Sequence, residues 1–540
     1  MPWALFTLAG CGERAAREGG AQRDLSTLNG RPAGGTLVVL ADREPDELNP
    51  LTYASHPASQ VTHLIYRTLA RRDSTLSNYR PDLALWWELT PDSSAVIVRL
   101  RDDVFWHDGR PVTAGDVAFT IESQRDERVA SPRQADVGAV TGAQAVDSFT
   151  VRVELEEAGP YTVNALLHVM PVPRHLLQGV PPERLKFSRL ARRPVGNGLF
   201  RFVEWRAGQS ITLAANTEAP EGRPPLDRIV LRFVPEPSAA LTELLSGQAD
   251  LMMKLPPDFR ERVERSERVR LAHTARVRPA WIAWNLDREP VDDRRVRRAL
   301  LMGIDREALV GGLFGEEGRV AWSPIPPGLA EHSGSVEPVR FDPERARELL
   351  DQAGWRDRDG DGVRERAGRP LRLEVDYLSS DAVRRDVLVG MQAMLRRVGV
   401  ELVPRPYEST AWVDRLYARD FVGSFWGWGW GPGVVGINAE MILHSRSIPP
   451  DGPNFIGYSD DRLDGWIDSV LVEFDPARSR ELWRMIEQRV IDDAAYAPIY
   501  LDPELIGVHR RFRDAGLWGV EWWEDVHTWW VPPGRRLPRD

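Results

Sequence analysis

Two stretches of this chain run strand, helix, strand, and that alternation constrains the fold more than any other feature. In the first, 228–234 is a short apolar run, 237–246 has helical composition stopped by Gly247, and 250–253 is apolar again. In the second, 371–377 alternates as a strand. Val383, Val387, Leu388, Met391, Met394 and Leu395 then recur at helical spacing, Gly399 closes the helix, and 400–403 returns as a strand. An apolar helical face must be buried against another layer, and a crossover helix lying on two parallel strands does this. The expected class is α/β.

At 540 residues the chain exceeds what one hydrophobic core supports, so several units are expected. Strands are also read at 36–40, 95–100, 148–155 and 281–285, and a hairpin at 198–205 and 210–214. Val61, Leu64, Ile65 and Leu69 share a helical face. So do Val296, Ala299, Leu300 and Ile304 behind an Asp292 cap, and Ala346, Leu349, Leu350 and Ala353 between Asp342 and Gly354. Residues 61–190 and 281–500 each read as a mixed α/β unit.

The formal net charge of −10 argues against a nucleic-acid partner and against attraction to an anionic membrane surface. The single cysteine, Cys11, excludes an intrachain disulfide and a cysteine-based zinc site. No apolar run is long enough to span a bilayer. Leu8-Ala9-Gly10-Cys11 resembles the bacterial lipobox, in which the cysteine is lipidated and becomes the mature N-terminus. Residues 12–35 are polar and aperiodic and read as a flexible tether. Residues 1–11 are therefore expected to be a signal peptide ending at Cys11. The protein is expected to be lipid-anchored in the periplasm or on the outer face of the cytoplasmic membrane.

Residues 100–119, LRDDVFWHDGRPVTAGDVAF, are very similar to the signature of the family-5 solute-binding proteins, the oligopeptide, dipeptide and nickel binders. Physically the stretch is a strand, a tight His107-Asp108-Gly109 turn and a helix capped by Thr113. Residues 193–200, 292–306, 454–460 and 495–501 resemble further stretches of that family, and the resemblance covers roughly 36–535. It implies a two-lobed periplasmic-binding-protein-like clamshell of type II, in the large cluster with an extra inserted domain. Lobe I would be 36–60, 191–280 and 501–540, the inserted domain 61–190, and lobe II 281–500. Ligand would sit between the lobes, hinge closure would bury it, and the closed form would dock on the permease subunits of an ABC importer. The expectation is a monomeric binder without enzymatic activity, cofactor or resident metal. Its ligand would be a peptide or peptide-like solute; an oligosaccharide, opine or chelated metal is the alternative, and a secreted hydrolase a remote one.

The candidate ligand wall is Trp426, Trp428 and Trp430, which alternate with glycines and would face one side of a strand. In many peptide binders an aspartate three residues after a tryptophan of this region pairs with the ligand's α-ammonium; counted from Trp428, that place holds Gly431. Glu440 and Asp381 are the candidate replacements, with Arg415 and Arg419 for a ligand carboxylate. Asp357, Asp359 and Asp361 resemble the start of a calcium loop, but the twelfth position is Gly368 instead of a bidentate glutamate.

Overall fold

The computed structural model describes residues 27–73, 79–273, 278–325, 327, 332–427, 439–502, 505–517 and 521–540. The first strand, β1 (Thr36–Ala41), is buried along its whole length. Leu37, Val39 and Ala41 enter one core, while Val38 and Leu40 pack on the opposite face with Ala240, Leu241 and Leu244. Such a run is apolar at every position because both faces of the sheet are covered.

Helix α1 (His56–Ile65) follows, capped by Ser55, whose hydroxyl accepts from the Ala58 amide at 3.3 Å. Next comes a four-stranded antiparallel sheet in the spatial order Ala84–Leu89, Ala95–Leu100, Thr150–Leu155, Val140–Asp147. Its helix Ala114–Arg125 starts at Thr113, whose amide donates to the Asp116 carboxylate at 2.8 Å. Helix α2 (Pro160–Leu167) completes this unit. One apolar core runs through it and the first large sheet, joining Val96, Val98 and Trp106 to Leu37, Val39, Trp522 and Trp529.

The chain returns to the first large sheet through the hairpin Phe200–Arg206 and Ser210–Ala215. It continues as β2 (Arg228–Phe233), α3 (Pro237–Ser246), β3 (Leu251–Met252) and β4 (Val269–His273). Gly247, at φ 82°, ends α3 in the left-handed conformation that a side chain resists. A second sheet is then built from β5 (Arg278–Trp284), β6 (Arg372–Leu378), β7 (Glu401–Tyr407), β8 (Gly423–Gly427) and β9 (Tyr496–Asp502). Helix α4 (Ala382–Arg396) connects β6 to its parallel neighbour β7, and α5 (Asp461–Val472) lies between β8 and β9 in sequence. The last strand, β10 (Leu505–His509), rejoins the first sheet.

The first sheet has seven strands, in the order β4, β10, β3, β1, β2 and then the hairpin; the second has six, Arg319–Val320, β9, β5, β8, β6, β7. The second sheet has a core on each face: Ile282, Trp284 and Phe425 enter one, Trp281, Ala283 and Trp426 the other.

Three sequence expectations change. The strand read at 148–155 is the second half of a hairpin whose first half, Val140–Asp147, was missed because that edge strand is mostly exposed and carries few apolar residues. Asp293 rather than Asp292 caps the helix Arg294–Met302, its carboxylate accepting from the Arg295 amide at 2.8 Å. Helix α1 runs unbroken through 60–61, and the second sheet extends slightly beyond 281–500, from Arg278 to Asp502.

Candidate functional site

Strand direction places the site. β1 is parallel to both β2 and β3, so Ala41, Phe233 and Met252 end at one edge of the first sheet. β10 runs antiparallel to β3 and β4, with Leu505 opposite His273. Both crossings between the sheets, 273 to 278 and 502 to 505, therefore leave from that same edge. In the second sheet Arg278 pairs with Asp502 and Ala280 lies opposite Gly427. β6 is parallel to β7 and β8, so the carboxyl ends of all three also meet the crossover edge. Ligands of open α/β sheets bind outside the carboxyl ends of the strands, and here two sets of such ends face one another across a double crossover.

On the first sheet's side a cavity of about 180 Å3 opens at those ends, lined among others by Asp42, His56, Gln60, Met253 and Lys254. Lys254 is held at φ 51° and exposed, and the following amide, of Leu255, donates to the Leu505 carbonyl at 2.8 Å, which ties this turn to the returning strand. His56 Nε2 lies 2.9 Å from the buried Glu521 carboxylate. The inserted unit adds Arg133, whose guanidinium sits 3.7 Å from the Tyr53 ring centroid and donates to the Tyr53 carbonyl at 3.0 Å. Asp136 lies in a turn packed on α2, and burial pushes its carboxyl up to about 6 against the lowering influence of Arg133. On the second sheet's side Asp381 caps α4, accepting from the Arg384 amide at 2.9 Å, and pairs with Arg384 Nη1 at 2.7 Å. Arg384 Nε is buried without a hydrogen-bond partner among the described residues. Across the cleft, α2 meets α5: a Cβ on Gly159 would stand 2.0 Å from the Leu471 carbonyl oxygen. The groups of this region carry both signs of charge.

Residues 78–448 match the family described as bacterial extracellular solute-binding proteins, family 5, middle region. The chain belongs to that family. Its members are substrate-binding proteins of ABC transporters, and the two-lobed clamshell expected from the sequence is the fold found. The oligopeptide-binding protein AppA of Bacillus subtilis is 26% identical over 508 residues, 92% of each chain. The structure of that protein with a nonapeptide has 25% identity and a TM-score of 0.76, covering 93% of this chain and 99% of the other. NikZ of Campylobacter jejuni, solved with Ni(L-His), shares the fold at 24% identity and a TM-score of 0.78, covering 92% and 99%. No helix among the described residues is long and apolar enough to cross a membrane.

Of the family-5 wall expected from sequence, Trp428, Trp430 and Gly431 lie outside the described residues, as does Cys11. Trp426 is a correction. It is 5% exposed and packs edge-on against Trp412, Phe421 and Phe455 at centroid distances of 6.2, 6.3 and 6.1 Å. It is a core residue because β8 is covered on that face. Arg419 is a second correction: it contacts Asp287 at 2.6 Å and Asn285 at 3.2 Å, near the Trp284–Gly423 pair, at the sheet edge opposite the crossovers. Arg415 is held by Asp376 at 2.9 Å and Asp420 at 2.7 Å, and Glu440 by Arg446 at 3.1 Å. Among the described candidates, Asp381, three residues after β6, lies at the carboxyl ends of the strands. Sequence reasoning missed Asp42, Arg133, Asp136 and Lys254. Asp42 and Lys254 had a usable signal, since each follows closely on a strand read from the sequence.

Proposed function

We propose that this family-5 protein captures a peptide or peptide-like solute between its two sheets, and that closure about the paired crossovers buries the ligand for delivery to an ABC permease. The observation that carries the reading is the meeting of both sets of strand carboxyl ends at the double crossover. The nonapeptide complex of a relative supports the ligand class. In this reading lobe I is 27–273 with 505–540, including the inserted unit, and lobe II is 278–502. Binding requires no reaction, so the chain acts as a monomeric carrier and not as a catalyst. Asp136 and Asp42 would receive a ligand ammonium, and Arg384 or Lys254 a carboxylate. Burying either charge unpaired would cost several kcal/mol, so the two ends of the ligand need such partners.

Cys11 would carry the lipid anchor. Its two acyl chains suffice for stable membrane attachment, and Cys11→Ala should release the protein from the membrane fraction.

The binding test is titration calorimetry with a free-amine tripeptide library, its N-acetylated counterpart and a set of oligosaccharides. Saturable binding of free-amine peptides, weakened by Asp136→Asn or by Arg384→Gln, is expected. Binding of oligosaccharides alone, or peptide binding indifferent to both substitutions, would overturn the proposal.

A further inference from the structure

A second cavity, of about 410 Å3, lies where the inserted unit meets the first lobe, at the carboxyl-terminal end of α1. The cleft cavity lies toward the other end of that helix, where His56, Pro57 and Gln60 line it. Part of its wall comes from the inserted unit, through Arg72, Arg80 and His168, and part from the first lobe, through Tyr66, Trp523 and His527.

Two of these residues carry buried polar atoms left without a partner. Tyr66 is 2% exposed and Trp523 5%, and neither the Tyr66 hydroxyl nor Trp523 Nε1 has a hydrogen-bond partner among the described residues. An unpaired buried donor or acceptor is costly, so such atoms beside a cavity mark a place where a bound molecule can complete the bonding.

Charge selects the kind of molecule. Arg67 is committed to Asp82 at 2.6 Å and to Glu221, and Arg71 leans on the same Asp82 at 3.3 Å. Arg80 is exposed at the rim and makes no ion pair among the described residues. Asp73 and Glu524 also line the space, and each already has a partner. His63, His168 and His527 are pushed down to about 4, 3 and 4 by burial, with nearby arginine charge adding to it: Arg133 for His63, Arg72 for His168, Arg71 for His527. The walls thus combine neutral imidazoles, an indole and an uncompensated guanidinium. Trp523 stands 5.7 Å from His63, ring centroid to centroid, so the two rings form one stretch of aromatic wall.

We propose that this cavity is a second binding site, separate from the solute cleft, for a small planar organic carboxylate of about the size of benzoate or indole-3-carboxylate. Arg80 meets the carboxylate, the ligand ring lies against the wall that Trp523 and His63 form together, and the Tyr66 hydroxyl or Trp523 Nε1 donates to the ligand. The volume falls within the usual range for small-molecule sites.

The test is calorimetric titration of the full chain with benzoate, with indole-3-carboxylate and with benzamide, the neutral analogue. One-to-one binding of a carboxylate, at least tenfold tighter than benzamide, is expected. Arg80→Gln, at an exposed position, should weaken it at least tenfold, and Tyr66→Phe severalfold, with unchanged far-ultraviolet circular dichroism in both. Absence of saturable binding by either carboxylate, equal affinity for benzamide, or indifference to Arg80→Gln would each overturn the proposal. Peptide titrations on the Arg80→Gln protein should match wild type, so a failure of this site and a failure of the peptide reading appear separately.

Discussion

Gly159 should act as a test of lobe closure. It precedes α2 with φ −146° and ψ 164°, an extended conformation open to any residue, so backbone strain does not require glycine there. The close approach does: an added Cβ would meet the Leu471 oxygen at 2.0 Å, the Leu471 carbonyl carbon at 3.0 Å and the Val472 Cα at 3.3 Å. Since Cβ contacts under 3.0 Å are essentially never seen, α2 and α5 must part by at least 1.0 Å in Gly159→Ala, and by more in Gly159→Val. Overpacking of this kind costs about 1–3 kcal/mol. The contact joins the inserted unit to the second lobe, so this energy opposes closure and leaves the folding of either lobe intact. Ligand affinity should then fall about 5- to 150-fold, the factor that 1–3 kcal/mol represents. Calorimetry with a bound peptide gives the affinity, small-angle scattering the radius of gyration, and differential scanning calorimetry the unliganded stability. Gly159→Val should weaken binding and enlarge the radius of gyration, with the unliganded midpoint nearly unmoved. Unchanged affinity and radius, or a loss of unliganded stability as large as the loss of binding, would refute the reasoning.

Other consequences follow from buried charge and from the acidic turn. Arg511 is 3% exposed and donates to both Asp250 oxygens at 2.9 and 3.0 Å and to the Thr36 carbonyl at 2.6 Å; Arg511→Met leaves the fully buried Asp250 with only Arg539 at 2.7 Å and the Val38 amide at 2.9 Å, and should lower unfolding free energy by about 3 kcal/mol in denaturant titrations, the low end for breaking a buried pair. His63, His107, His168 and His527 are held neutral by burial, down to about 4, 4, 3 and 4, so the unfolded chain binds more protons between those values and 6.5. Stability should therefore fall as pH drops from 6.5 towards 4, opposed by the raised carboxyls of Asp136 and Glu47, and a thermal midpoint that stays level between pH 7 and 5 would contradict this. His332 runs the other way: the hydrogen bond its ring donates to the Glu487 carboxylate raises it, so its contribution is complete below 6.5 and lost as pH climbs through the raised value, and His332→Gln should flatten that alkaline decline. Asp357, Asp359 and Asp361 are exposed and already accept from the amides of Gly360, Asp361, Gly362 and Val363, so millimolar calcium should not raise the melting temperature; a saturable rise abolished by Asp359→Ala would show otherwise.

What the sequence determined by itself is local. Apolar period, caps and terminal glycines located α3, α4 and most strands, because those signals act within a few residues: Gly247 stops α3 and Asp342 caps the helix that begins at Pro343. The motif at 100–119, which runs from the end of the strand Ala95–Leu100 through the turn into the helix Ala114–Arg125, carried the family, since a dense match over twenty residues is not produced by propensity alone. The tertiary structure decided which residues reach the cleft. Trp426 and Arg419 sit in the same stretch of sequence as the site, yet one is turned into a core by the cover on its face of β8 and the other lies at the far edge of the sheet. Asp136 has nothing local to distinguish it as a partner, and Asp42 and Lys254, though each follows closely on a strand, come to one cavity only because β1 and β3 end together. Periodicity states which residues must be covered, while strand order and direction, set by packing between segments hundreds of residues apart, state which are left facing the ligand.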